Sequence, residues 1–195
     1  MGLLRALKSG SLKSPRSIRH NGKRLSDILA AHALFTRGAE GGERADLSGA
    51  KLAHADLANT NLAYADFHGA NLEGASFRDA KLGSADLAGA NLRKADLRRS
   101  DLTETNFEGA DLTEAQLGGA EVFRASLRNA ILRRADFGAT NLRAADVQGA
   151  DFNGANMKTA ILRETNLDGV DLSGVDLSTA LLPRGYKAGA APKPQ

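Results

Sequence analysis

The sequence predicts an all-β solenoid, and three observations predict it. From Leu47 to Leu182 every fifth residue is large and apolar, 28 in succession drawn from Leu, Phe, Val and Met. Two residues before each of these, Ala fills 21 of the 28 positions; the others are Thr60, Ser100, Thr105, Thr140, Thr165, Val170 and Val175. The positions between are mostly Asp, Asn, Gly, Ser, Arg and Lys. A period of five fits neither a helix nor a flat strand. Within a unit, two apolar residues spaced two apart point to one side of a short extended segment, and the polar residues suit a corner. A chain that runs extended, turns and repeats winds around an axis with both apolar positions inside. No unit buries its large side chain alone, so successive coils stack and share one core.

The unit, which begins Ala45-Asp46-Leu47-Ser48-Gly49, resembles the A(D/N)LXX pattern of the pentapeptide-repeat family over residues 45–184. The resemblance implies a right-handed quadrilateral β-helix with four repeats per coil, about seven coils and a height of roughly 30 Å at strand spacing. Below, i denotes the large apolar position. Positions i and i−2 face inward, while i−1, i+1 and i+2 face outward.

Residues 1–24 carry Arg5, Lys8, Lys13, Arg16, Arg19, Lys23 and Arg24, with no acid before Asp27. Interspersed serines make this a basic arm expected to be disordered. Its functional readings are contact with an anionic partner (acidic protein, nucleic acid or lipid headgroups) and an organelle transit peptide. Residues 26–37 read as a helix with Ser26 as N-cap, Asp27 at the positive end of the dipole and Gly38 as the stop. Leu25, Ile28 or Leu29, His32 and Phe35 share a face, which predicts a cap over the first coil. His32 there reads as packed rather than as a metal ligand. The Gly-rich linker up to residue 44 lacks the Gly-Lys-Ser/Thr of a phosphate loop. After the repeats (45–184), residues 185–195 read as a disordered tail rich in Ala, Gly and Pro. The last coil is then covered by Tyr186 or by a second molecule, giving a homodimer through the C-terminal coil.

With twenty residues per coil, each face can be inventoried. The face containing Leu47 bears six acids (Asp46, Asp66, Asp86, Glu108, Asp146, Asp168) against Arg128, net −5. The Leu52, Leu57 and Leu62 faces sum to 0, −1 and +1, so the repeats total −5 and the basic character lies at the ends. Stacked Asp46, Asp66 and Asp86 suggest a solvated ladder rather than a cation site. Thr60, Ser100 and Thr140 are expected to bond backbone carbonyls, and Phe67 and Phe77 to meet inside the second coil. The Leu62 face holds the candidate contact surface: outward Phe123 with Arg124, Arg143, Ile161, Arg163 and Arg184. An exposed Phe among arginines has the composition of an interface anchor, against which stands plain cation–π and stem packing.

There is no Cys, no apolar run near the ~18 residues that span a bilayer, and no HExxH or nucleophile-elbow pattern. A filled convex rod is expected to offer no concave pocket. The expectation is a cytoplasmic, non-enzymatic scaffold without cofactor or metal, binding an unidentified protein partner through flat faces. The resemblance implies one alternative, an acidic DNA mimic that binds DNA gyrase. Another is a scaffold anchored on anionic lipid by the basic arm.

Overall fold

Each five-residue unit folds as an inward pair followed by a tight turn. The N–H of the next i−2 residue closes the turn on the carbonyl of residue i, as in Ala115 to Leu112 at 2.9 Å. From Gly49 to Gly174 the i+2 residue of every turn is left-handed, with φ from 54° at Arg124 to 77° at Gly174. Asp or Asn at i−1 accepts the N–H of i+1, as Asp46 Oδ1 does from Ser48 at 3.1 Å and Asp86 Oδ1 from Ala88 at 3.0 Å. This is why the unit carries a short carbonyl side chain before the Leu.

The computed structural model describes residues 11–186. Over the repeats, parallel bridges join residues twenty apart, for example Asp46 to Asp66 to Asp86 and Asn61 to Lys81 to Asp101. Each bridge is a single residue flanked by turns, so the expected strands are shorter than strands proper: a five-residue unit leaves no room for more. Bonds such as Leu97 N–H to Gln116 O (2.7 Å) and Gln116 N–H to Ala95 O (2.9 Å) fix the spacing of the coils. Inside, the large residues and alanines from Ala45 to Leu142 form one buried column. Phe67 and Phe77 meet edge to face at 5.8 Å. Thr60 and Ser100 hydroxyls donate to the carbonyls of Leu57 and Leu97, and Thr140 donates to Leu117 O at 2.8 Å. Buried hydroxyls are thereby satisfied.

The ladder changes at the last coil. Among the described residues, no bridge joins Asp146 to Asn166, Asp151 to Asp171 or Asn156 to Asp176, whereas Ile161 still bridges Leu181. On that fourth face Leu162 N–H reaches Leu181 O, and Leu181 N–H reaches Ala160 O, both at 2.8 Å. On two of these three faces the lapse coincides with Val170 and Val175, which replace Ala at the inward i−2 position; on the first, Thr165 holds that position. Ala150 and Ala155, above the two valines, are 6% exposed where inward alanines higher in the rod are at 0–3%, the direction expected of added methyl groups that crowd the coil above. Tyr186 packs against the core beside half-buried Leu172, Leu177 and Leu182.

At the other end, the structure corrects the expected disordered arm over residues 13–24. Lys13 bridges Ala55 in parallel: its N–H donates to His54 O (2.7 Å) and its carbonyl accepts Asp56 N–H (3.0 Å). A 3-10 turn follows at Pro15–Ser17, with Ser14 as its N-cap. Then β1 (Arg19–His20) and β2 (Lys23–Arg24) form a hairpin, and Ile18 is buried. Backbone pairing and that one apolar anchor outweigh the polar composition. The helix α1 (Leu25–Phe35) begins earlier than expected, with Arg24 rather than Ser26 as N-cap. Leu25 N–H donates to Ile18 O at 2.9 Å, so the chain before it does the capping. Leu25 and His32 are fully buried, and Ile28 and Leu29 pack on the same core as the repeats. Arg5 and Lys8 lie outside the described residues, as does the tail beyond Tyr186.

Candidate protein-binding face

The outward columns follow a rule of charge. An Arg at i+1 reaches across to the acid at i−1 of the next coil: Arg78 to Asp96 (3.4 Å), Arg93 to Asp111 (3.2 Å), Arg128 to Asp146 (3.0 Å), and Arg133 to Asp151. Arginines at i+2 pair with the acid one coil above, as Arg99 with Asp79 (2.6 Å) and Arg134 with Glu114 (2.8 Å). The best-enclosed acid is Asp96. Burial pushes its carboxyl up, but hydrogen bonds from Arg98 and from its own turn, together with the Arg98 and Arg78 charges, more than offset this and hold it below the usual range. Thus Arg93, Arg133 and Arg134 on the Leu52 face are each paired within the rod.

The rule fails at the C-terminal end of the Leu62 face. The acid that Arg143 and Arg163 would meet is replaced by Ile161 and Leu181. Arg143 turns instead to Glu164 at 2.8 Å. Arg163 and Arg184 are exposed, and no acid lies within 4.0 Å of either among the described residues. All six candidate residues therefore share one face, but they are not equivalent. Phe123, expected to stand exposed, is half-buried: the Arg124 guanidinium lies 4.9 Å and that of Arg143 5.8 Å from its ring centre. Arg124 also pairs weakly with Glu104 at 3.9 Å. Two cations lie over the ring, so Phe123 is partly covered within the chain. Leu181, apolar at i−1 where Asp or Asn makes the turn bond, is 45% exposed.

Of the basic residues placed in the arm, Lys13 sits in the ladder, Lys23 pairs with Glu43 at 3.1 Å, and Arg19 Nη1 donates to Gly22 O at 2.9 Å. Arg16 and Arg24 are exposed. The expected lack of concavity does not hold where this hairpin meets α1 and the first repeat. A cavity of about 380 Å³ opens there beside Lys23, Glu43, Arg44 and Asp46. Its charges are of both signs, and Lys23 and Glu43 pair with each other there. On the Leu47 face, Asp66 lies 3.5 Å from Arg44, Asp86 accepts from Asn106 at 3.0 Å and Asp146 holds Arg128. Among the described residues no group of three or more His, Asp or Glu is placed to hold a metal ion, and no helix is long and apolar enough to cross a membrane.

The sequence profile of pentapeptide repeats matches in eight copies over residues 43–79, 80–121, 123–158 and 140–178. Among solved structures, the chain is similar to HetL, a pentapeptide repeat protein involved in heterocyst differentiation regulation in the cyanobacterium Nostoc. The two are 29% identical over 73% of this chain and 87% of HetL, with a TM-score of 0.42. A pentapeptide repeat protein of the Arabidopsis thaliana thylakoid lumen is 30% identical over 63% of this chain and 65% of its own, with a TM-score of 0.33. QnrB1, a plasmid-mediated fluoroquinolone resistance protein, is 22% identical over 73% and 79% of the two chains, with a TM-score of 0.36. A search of curated proteins gave no match. With repeats matched across most of its length, stacked in a twenty-residue register, this chain belongs to the pentapeptide-repeat family, whose fold is a right-handed β-helix.

Proposed function

We propose that this protein is a non-enzymatic scaffold that binds another protein through one flat face of a seven-coil β-helix, with residues 11–44 as its N-terminal cap. One observation carries the reading. Around the rod, outward arginines pair with acids of the neighbouring coil, but at the C-terminal end of the Leu62 face the acids give way to Ile161 and Leu181. Arg163 and Arg184 flank them. Unpaired cations around exposed aliphatic groups form a surface suited to a partner. A DNA mimic of the kind that binds gyrase has less support, because several acids of the most acidic face are engaged by Arg44, Asn106 and Arg128. Lipid anchoring through the basic arm has less support as well, since residues 13–24 are committed to backbone pairing and to α1.

The test is retention of lysate proteins on immobilised full-length protein and on variants of each face in turn: Arg163→Glu with Leu181→Ser, Lys51→Glu, Lys158→Glu, and Asp168→Lys. A specific protein lost with one face and kept with the others supports the scaffold. No protein retained by any form, or retention indifferent to every face, refutes it.

A further inference from the structure

We propose that the end of the Leu62 face formed by Arg143, Ile161, Arg163, Leu181 and Arg184 binds an acidic polypeptide segment, whose carboxylates take the places left by the missing intrachain acids. The inference rests on the scaffold reading and names the chemistry of its partner.

Three observations lead there. First, charge: Arg78, Arg93, Arg128 and Arg133 show how a cation at i+1 is satisfied in this rod, by a carboxylate beside the next coil's i−1 position. Arg163 has the same position and no such carboxylate among the described residues, and Glu164, the acid one coil above Arg184, is engaged by Arg143 and not within 4.0 Å of Arg184. Second, the apolar content: Leu181 is 45% exposed and Ile161 half-buried, stacked in one column with bridged backbones. They offer an aliphatic strip between the cations, so the fitting segment carries aliphatic side chains flanked by acids. Third, rigidity: of the four faces of the last coil, this one alone keeps its bridge to the coil above among the described residues. A platform already ordered loses little freedom on binding.

Nucleic acid fits the same surface less well. Its phosphates call for a run of cations, and here Glu164 sits among three arginines, with an aliphatic strip where the next phosphate contacts would lie. Guanidinium forks also match carboxylates in paired geometry, which suits Asp and Glu side chains.

Fluorescence anisotropy of labelled Glu-Glu-Leu-Glu-Leu-Glu-Glu with the full chain tests the proposal. Its Gln-for-Glu analogue, a Lys-for-Glu analogue and a labelled single-stranded oligonucleotide serve as comparisons. Arg163→Glu with Arg184→Glu should weaken the acidic peptide by at least about tenfold and let the Lys analogue bind. Lys51→Glu, on another face, should leave acidic-peptide affinity unchanged, and the Gln analogue should bind more weakly than its parent. Equal acidic-peptide binding by the reversed variant overturns the inference, as does tighter binding of the oligonucleotide lost in that same variant. No peptide binding to the parent protein overturns it too. If lysate proteins are then still retained through the Lys51 or Lys158 face, only this inference falls and the scaffold stands.

Discussion

Replacing Ala115 with Val tests whether small inward residues set the spacing of the coils. Ala115 is fully buried mid-rod beneath Ala95, and Gln116 N–H beside it reaches Ala95 O at 2.9 Å. Around them, Leu97 N–H reaches Gln116 O at 2.7 Å and Arg99 N–H reaches Gly118 O at 3.2 Å. Where Val170 takes the equivalent place below Ala150, the corresponding bridge is absent. If two added methyl groups open these three bonds, each contributing about 1 kcal/mol net, the loss is about 3 kcal/mol. The extra apolar burial offsets about 1.5 kcal/mol. The expected net loss of about 1.5 kcal/mol falls within the usual range for overpacking a core. Urea denaturation reads it as a lower midpoint, and amide exchange should localise it to Gln116, Leu97 and Arg99. An unchanged midpoint with those amides as protected as before would refute the reasoning, and would mean that something other than the valines separates the last coil. The converse substitution, Val170→Ala with Val175→Ala, should slow exchange at the Asp171 and Asp176 amides.

Other outcomes follow from sites already described. His32 accepts Ala45 N–H at Nδ1 (3.0 Å), and burial first, then the Arg44 charge, holds its pKa down, against the raising effect of the Ala63 and Glu43 backbones. The unfolded chain therefore takes up the proton first. Stability should be complete above the ordinary histidine value of roughly 6.5 and fall as pH drops below it. Thermal melts across that range should show the slope in the parent and its loss in His32→Gln; a parent flat with pH would contradict this. Gly42→Ala would set a Cβ 2.6 Å from Phe35 Cα, against helix backbone that has no room to give. It should cost about 2 kcal/mol, whereas Gly41→Ala, with open space but φ +75°, should cost nearer 1 kcal/mol; equal melting temperatures would undo that contrast. Asp96→Asn keeps the turn acceptor but releases Arg98 (2.6 Å) and Arg78 (3.4 Å), for a loss of roughly 1 kcal/mol in a half-screened site. Because the Asp96 carboxyl is held low, its contribution is present at neutral pH and is lost as pH falls below the ordinary carboxylate value. Parent and variant should thus converge in acid.

Much of this was legible in the sequence because a solenoid makes remote contacts periodic. Once the repeat fixes which residues lie twenty apart, the meeting of Phe67 with Phe77 and the Thr140 hydroxyl bond follow from counting. Features outside the period were not legible. That Lys13 would add a bridge above Asp56 depends on a chain folding back over forty residues, with nothing local to mark it. Ser26 looked like an N-cap, but the donor it would have served is not the one left open, because Ile18 O arrives from outside the helix. The Leu62-face residues were legible as a column, whereas the cover over Phe123 depends on the rotamers of Arg124 and Arg143. One practical result is that a truncation starting at Leu25 removes part of the cap as well as the basic residues. The effect of the basic N-terminus is better tested from Ser11.

The twenty-residue register makes the rod a counting device. Deleting one five-residue repeat, residues 90–94 for example, leaves a sequence that can still wind and stack, but everything after the cut is carried a quarter turn around the axis. Arg163, Leu181 and Arg184 would then lie beneath the N-terminal half of a different face. The azimuth of a surface on this molecule is stored in the number of repeats that precede it, so lineages that gain or lose single repeats re-aim a binding surface without altering any residue in it.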